Sequence, residues 1–251
     1  MRNRLGTIAM LAAALALTAC ASAERRDKAE KDAQRLDIYA ALAADALAQN
    51  NLNVAFSEAS KALEVDANSA KANDIMALVQ ARMRDDAKAE KYFRRALGAD
   101  PQNSESHNNF GVFLCERGRI DEAIPHFDAA VKNPLYRTPD RANLNAGQCL
   151  RKKGDYAGAE RYFRAALVVD GKSAIALYNL ARLSYDRQEY LSTRAFLTRY
   201  FELAKDSPEA LLLAVKTEHA LGGKDAEATY KLKLRSKFPD SAEAKQVGRI
   251  R

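Results

Sequence analysis

Tryptophan is absent from this chain of 251 residues, and cysteine and histidine occur only three times each. A metal site needs three or four convergent ligands, and the chain has no HxxxH, HExxH or CxxC spacing that would supply them. It also lacks a Gly-x-Ser-x-Gly elbow, a Walker loop and a GxGxxG turn. His107 lies eight residues before Cys115 on the same predicted helix and is not placed to activate that thiol. We therefore expect no catalytic residue, metal, cofactor or small-molecule substrate.

Long runs of one charge are also missing. Lysine and arginine total 40 against 33 acidic residues, for a formal net charge of +7, and the two signs are interspersed. No basic run is interleaved with aromatic side chains, so the pattern predicts a solvated surface and no nucleic-acid partner. Proline and glycine are scarce, at 6 and 11 residues, and alanine is abundant, which suits closely packed helices.

What the chain does contain is a repeat. Ala62-Leu63, Ala96-Leu97, Ala130-Val131 and Ala166-Leu167 follow one another at steps of 34, 34 and 36 residues. This period is that of the tetratricopeptide repeat, a helix–turn–helix that buries its apolar face only by stacking on copies of itself. The sequence predicts an all-α fold, a right-handed superhelical solenoid of about six tetratricopeptide helix pairs.

Other positions recur with the same period when the shared alanine is numbered position 27. Positions 8 and 20 are expected to be small because the two helices cross closely there, and position 24 is expected to be large and apolar. Position 8 is Ala43, Ala77, Gly111, Gly147 and Ala181, and position 20 is Ala55, Ala89, Ala123 and Ala159. Position 24 is Ala59, Phe93, Phe127 and Phe163, and turn residues near position 15 are Asn50, Gly118 and Gly154. The fifth and sixth repeats are degenerate at Thr193, Tyr200 and Glu227.

The start of the chain lies outside the repeats. Arg2 and Arg4 precede an apolar run, 8–17, that is too short for a membrane span of about 20 residues. We interpret 1–19 as a lipoprotein signal peptide, 20–35 as a lipidated N-terminal tether and 36–251 as the repeat domain. The repeats are expected near 36–69, 70–103, 104–139, 140–173, 174–207 and 208–241.

The signal peptide ends in Leu17-Thr18-Ala19-Cys20. These four residues resemble a bacterial lipobox, in which the cysteine is acylated and becomes the first residue of the mature protein. Acyl chains on Cys20 would anchor the protein, because each buried methylene contributes about 0.8 kcal/mol. By the sorting pattern of bacterial lipoproteins, Ala21 after the cysteine implies transfer to the outer membrane, so we expect a lipid-anchored protein that faces the periplasm. The alternative is a plain signal peptide cleaved after Ala21 or Ala23.

Cys115 and Cys149 lie on the first helices of two adjacent repeats. Such helices pack side by side, so the two sulfur atoms are within possible bonding range, and an oxidising compartment favours a disulfide. Two buried free thiols are the alternative. The cysteines differ by two positions within their repeats, which leaves the Cα separation open.

Two regions of the repeats carry candidate binding residues. The first helices are expected to line a concave face, where the fourth and fifth repeats mix apolar, amide and charged groups suited to a bound peptide or helix. The candidates there are Arg141, Gln148, Arg151, Tyr178 and Arg182. The longer third step comes from the segment 133–140, where Tyr136 and Arg137 are of types enriched at binding hot spots. The alternatives are solvation of the groove residues and a packed connector in which Tyr136 covers the core.

Three segments resemble a known family. Asn108–Glu116, Asn133–Pro139 and Asn145–Cys149 are similar to the type IV pilus biogenesis/stability lipoproteins, the PilF/PilW family. The resemblance implies an outer-membrane lipoprotein with Cys20 as the lipid attachment site and Cys115 and Cys149 as the family's paired cysteines. It also implies a pilotin, which assists the localisation and multimerisation of the type IV pilus secretin.

The resemblance does not carry over the secretin-binding residues one by one. It implies that the first repeats are the docking surface, and their apolar groove positions are Ala40, Ala44, Leu47 and Leu78. Asn108 and Asn109, in the first matched segment, are further candidates. The alternative function is a periplasmic adaptor of the same fold that scaffolds peptidoglycan hydrolases or other envelope complexes.

Overall fold

The computed structural model describes the backbone of residues 2–248 and the side chains of residues 25–248. Within residues 2–248 the chain forms thirteen α-helices and no strand. The helices are α1 (Arg2–Ala48), α2 (Leu52–Val65), α3 (Ala70–Arg82), α4 (Asp86–Ala99), α5 (Ser104–Glu116), α6 (Ile120–Lys132), α7 (Pro139–Lys153), α8 (Tyr156–Val169), α9 (Ala174–Asp186), α10 (Tyr190–Leu203), α11 (Pro208–Leu221), α12 (Lys224–Lys237) and α13 (Ala242–Val247). The predicted signal peptide and Cys20 fall outside the residues whose side chains are described.

The chain divides into two compact units, residues 1–106 and 107–251. In the N-terminal unit, consecutive helices pack on one another, and α1 also packs on α3. In the C-terminal unit, α9 contacts both α7 and α11, the first helices of the repeats before and after it. This combination of consecutive and alternate contacts is the packing of stacked helix pairs, so the predicted all-α tetratricopeptide architecture is confirmed.

In the third and fourth repeats, an aromatic ring of the second helix packs directly on a glycine of the first helix. Phe127 and Phe163, at position 24, are buried. A Cβ at Gly111 would lie 2.8 Å from Cε1 of Phe127, and a Cβ at Gly147 would lie 2.5 Å from Cε1 of Phe163. Both distances are shorter than van der Waals contact. The ring at position 24 therefore occupies the space that a side chain at position 8 would fill.

The turn inside each helix pair has a left-handed backbone conformation. The residues with positive φ are Asn50, Arg84, Gly118, Gly154, Gln188 and Gly222, separated by the same steps of 34 and 36 residues. Arg84 and Gln188 have φ angles of 64° and 63°, a conformation that costs a residue with a Cβ about 1–2 kcal/mol. The sequence did not predict the left-handed conformation of these two turns, because neither arginine nor glutamine favours a positive φ. The packing of the flanking helices imposes the conformation there.

The last two repeats keep an apolar core and add ion pairs to it. Arg194 on α10 donates two hydrogen bonds to the buried carboxylate of Glu218 on α11, at 2.8 and 2.5 Å. Glu227, where the repeat calls for a small residue, pairs with Lys231 at 2.5 Å and lies 3.2 Å from Nδ1 of His219. Of the three degenerate positions, Glu227 is thus held by ion pairs, whereas Thr193 is buried in α10.

Additional helix precedes the first repeat and follows the last one. Residues 25–35 of α1 are mostly exposed, and Lys31 pairs with Asp27 at 2.7 Å along the helix. At the other end, α13 packs on α11 and α12 and buries Ala244 and Val247. No helix among the residues whose side chains are described has the length and apolar character of a membrane span.

A disulfide joins Cys115 on α5 to Cys149 on α7, with a Cα–Cα distance of 5.8 Å. This distance lies within the usual range for the bond, so the difference of two positions between the cysteines does not prevent it. The bond links the first helices of the third and fourth repeats, 34 residues apart.

The ring-on-glycine contact generates the first prediction. Gly147→Ala should lower the free energy of unfolding by about 1–3 kcal/mol, because the new methyl group collides with Phe163. Gly98→Ala is the matched control, since Gly98 lies in α4 with nothing within 4 Å of its Cβ position. The control should stabilise by up to about 1 kcal/mol through helix propensity. Urea unfolding followed by circular dichroism measures both; equal changes would contradict the described packing.

The disulfide generates the second prediction. Closing a loop of this length stabilises by about 3–4 kcal/mol in the chain-entropy model. Cys115→Ser should therefore lower the unfolding midpoint of the oxidised protein and leave that of the reduced protein nearly unchanged. Urea unfolding with and without reductant tests this. An equal loss under both conditions would mean that the cysteine side chain contributes by packing and not by the crosslink.

Candidate functional site

The apolar groove predicted in the first two repeats is mostly core. Ala40 and Leu47 are buried, and Leu47 packs with Ala43 and Met76 in the core of the N-terminal unit. Leu78 is partly buried against the same core, whereas Ala44 is exposed. Ala40 and Leu47 leave almost no side-chain surface for a partner. The reason is that α1 packs against both α2 and α3, which encloses this side of the helix.

A different apolar surface is open on α1. Ile38 and Leu42 are 57% and 48% exposed, and their spacing of four residues puts them on one face of the helix. We call this pair the end face. The equivalent residues of later repeats, at positions 3 and 7, are all buried: Ala72 and Met76, Ala142 and Ala146, Ala176 and Leu180, and Ala210 and Ala214.

The difference arises because later repeats have a helix pair before them. The first helix of the second repeat, α3, packs on α1 and α2, and α9 packs on α7 and α8 in the same way. Among the described residues, α1 packs only on α2 and α3, which leaves its end face uncovered. The signal was present in the sequence at position 3, which is alanine in the four later repeats compared above and isoleucine at Ile38.

Polar groups surround the end face. Asp45, one helical turn beyond Leu42, is exposed, and its carboxylate accepts a hydrogen bond of 2.7 Å from Gln49. Asp37 pairs with Lys71 of α3 at 2.6 Å. An apolar pair with a charged border is the usual composition of a protein-binding patch, whose centre is dry and whose rim is solvated.

Several predicted contact residues of the C-terminal unit are structural. Asn108 is buried, and its Oδ1 accepts a hydrogen bond of 2.9 Å from Nδ2 of Asn145; Asn109 is partly buried. Tyr136 is buried against Ala130 and Ala142, as expected for a packed connector that covers the core.

Two neighbours of Tyr136 in the connector are exposed. Arg137 is exposed, and its neighbour Leu135 is 85% exposed. Arg141 and Gln148, on the first helix of the fourth repeat, are also exposed. Arg151 donates a hydrogen bond of 2.8 Å to Asp186, so it ties α7 to α9.

Tyr178 and Arg182 line a cleft of about 310 Å³ between α9, α11 and α13, which we call the α9–α11 cleft. Its other lining residues are Tyr185, Asp186, Glu209, Leu212, Leu213, Lys216 and Glu243. Sequence reasoning missed Glu209, Lys216 and Glu243, because the groove was not extended to the sixth repeat and α13 lies beyond the predicted repeats. Extending the groove positions by one period would have found Glu209 and Lys216.

The cleft combines hydrogen-bond donors with basic side chains that make no ion pair. Burial raises the pKa of the Tyr178 and Tyr185 hydroxyls, so both phenols remain protonated donors at neutral pH. The guanidinium of Arg182 lies 5.8 Å from the centre of the Tyr178 ring, within cation–π distance. Among the described residues, neither Arg182 nor Lys216 makes an ion pair.

Histidines and carboxylates do not gather into a metal site in the part of the chain that the structure describes. His107 and His126 face each other across α5 and α6 with their Nδ1 atoms 2.9 Å apart. One ring donates this hydrogen bond and the other accepts it. The surfaces described above can bind apolar and charged side chains, which is chemistry for a protein partner.

The repeat assignment is supported by comparison with known families. A tetratricopeptide repeat model matches residues 76–140, 111–170 and 144–208, which together span just over half of the chain. The described core positions of these residues carry the same period.

Comparison with individual proteins gives a more specific assignment than the repeat model. The type IV pilus assembly protein PilF of Pseudomonas aeruginosa is 28% identical over 233 residues, 92% of each chain. The crystal structure of PilW, described as a widely conserved type IV pilus biogenesis factor, is 30% identical with a TM-score of 0.77 and covers 84% of this chain and 97% of its own. A structure of Pseudomonas aeruginosa PilF has a TM-score of 0.75 at 27% identity, over 88% and 100% of the two chains. The chain thus belongs to the tetratricopeptide repeat family and, within it, to the PilF and PilW proteins of type IV pilus biogenesis.

Proposed function

We propose that this chain is a lipid-anchored pilotin of the outer membrane, which binds the type IV pilus secretin in the periplasm and assists its localisation and multimerisation. Its relatives PilF and PilW are named for pilus assembly and biogenesis, and the likeness extends over nearly the whole chain. A scaffold of stacked helix pairs acts by holding other proteins, which fits an assembly role.

The observation that carries the docking step is the end face. Ile38 and Leu42 are about half exposed at positions that a preceding helix pair covers in later repeats. A helix of the secretin subunit that packed on α1 would bury both side chains. Full burial of one such side chain contributes about 1.5–3 kcal/mol, so the two half-exposed side chains would together contribute about that amount.

The lipid anchor and the end face lie on one helix in this proposal. α1 runs from Arg2 to Ala48 without interruption. At a rise of about 1.5 Å per residue, Cys20 lies about 27 Å from Ile38 along the helix axis. The anchor would thus hold the end face at a defined distance from the inner surface of the outer membrane, where secretin subunits arrive.

The third prediction tests the docking surface. In a strain that lacks the gene, the double variant Ile38→Asp/Leu42→Asp should fail to restore secretin multimers in outer-membrane fractions, because carboxylates do not enter a dry interface. Leu232→Asp is the matched control, since Leu232 is 70% exposed on α12 and lies outside the end face. Circular dichroism checks that both variants fold. Normal multimers with the double variant would exclude the end face as the docking surface.

The same strain separates the two candidate functions. Loss of secretin multimers on deletion, restored by the gene, would support the pilotin. Unchanged multimers together with an altered cell wall would support the adaptor of peptidoglycan hydrolases or other envelope complexes.

The fourth prediction tests the anchor. Cys20→Ala should give a folded protein that is released from membranes by fractionation and that restores few or no secretin multimers. Metabolic labelling with a radioactive fatty acid should mark the natural chain and not the variant. Retention of Cys20→Ala in the membrane fraction would contradict the lipid attachment.

A further inference from the structure

We infer that the α9–α11 cleft is a separate protein-binding site, which takes an extended peptide segment whose acidic and basic side chains are about three residues apart. This inference does not depend on the end face or on the lipid anchor. It rests on the charges, hydrogen-bond donors and periodic positions of the cleft residues.

Four of the five charged residues that line the cleft have no ion-pair partner among the described residues, the exception being Asp186. Nearby, Arg151 pairs with Asp186 at 2.8 Å and Arg187 pairs with Glu160 at 2.7 Å. In contrast, Arg182 and Lys216 make no ion pair or side-chain hydrogen bond with any described residue, and the same holds for Glu209 and Glu243. Four charged groups at one cleft are therefore available to a ligand.

The two basic residues of the cleft occupy equivalent positions in successive repeats. Arg182 on α9 and Lys216 on α11 are 34 residues apart and share position 9 of successive repeats, whose first helices contact each other. Helices in contact have axes about 8–10 Å apart, so two long side chains at one level can reach a group between them. Tyr178 and Tyr185 stand one turn to either side of Arg182 and supply neutral donors. A carboxylate accepts hydrogen bonds from all of these groups.

The cleft also contains two carboxylates without an ion-pair partner, which can bind a basic side chain of the ligand. Glu209 and Glu243 are also 34 residues apart, at position 2 of α11 and of α13. Seven residues separate Glu209 from Lys216, which is about 10 Å along a helix. An extended peptide covers that length in about three residues. A ligand with an acidic residue at the cations and a basic residue at the carboxylates would complement both charges.

The experiment begins with selection from a phage-displayed library of random nine-residue peptides on the full chain purified in detergent. The expected result is enrichment of peptides that carry an acidic residue and a basic residue three positions apart, in either order. Failure to enrich any peptide, or enrichment of peptides without this pattern, would overturn the inference. Peptides that contain only apolar residues would indicate a groove for an apolar helix instead.

Affinity measurements on the most enriched peptide then locate its site. By fluorescence anisotropy, Arg182→Met and Lys216→Met should each weaken binding at least tenfold, and replacing the acidic residue of the peptide by its amide should do the same. Lys172→Met is the matched control, because Lys172 is an exposed lysine outside the cleft; it should bind like the natural chain. Undiminished binding by Arg182→Met and Lys216→Met would overturn the proposed site.

The end-face variant keeps this test independent of the proposed function. Ile38→Asp/Leu42→Asp should bind the selected peptide with unchanged affinity. Loss of binding in that variant would mean that the peptide occupies the end face, and the cleft would then not be its site.

Discussion

The close approach of the two helices within a pair, which a small residue at position 8 permits, is the constraint on which the rest of the fold depends. Because the ring of Phe163 lies where a side chain of Gly147 would be, the two helices of the fourth repeat approach closely and bury the alanines at positions 20 and 27. The disulfide between Cys115 and Cys149 then joins two first helices whose spacing the packing has already fixed.

Much of this fold could be predicted from the sequence, because the period and the small positions are local signals. The buried alanines and phenylalanines lie where the period puts them. The turns at Arg84 and Gln188 could not be predicted, since their left-handed conformation is imposed by the flanking helices and not by the residue itself. In the fifth and sixth repeats the sequence showed only that the repeat pattern weakens and did not predict the ion pairs. Their ion pair between Arg194 and Glu218 joins groups that are 24 residues apart.

The binding residues were harder to predict than the core. Ala40 and Leu47 were placed in a groove by their position in the repeat, but position alone does not distinguish a wall of the groove from the packed side of the helix. Tyrosine is a residue type enriched at binding hot spots, but Tyr136 is packed in the core. Burial depends on neighbours that are distant in sequence, whereas the exposed Ile38 stands out once its position is compared with the alanines of later repeats.

The continuous helix α1 has a further consequence for how the chain can vary. Residues 25–35 are solvated and held by pairs within the helix, such as Lys31 with Asp27, so their identities are weakly constrained. Their number is not, because a helix advances about 100° per residue. In the proposed anchored state, with Cys20 in a lipid leaflet, one added residue would rotate Ile38 and Leu42 about the helix axis by about 100°. The direction in which the proposed docking surface faces thus depends on the length of this segment more than on its composition.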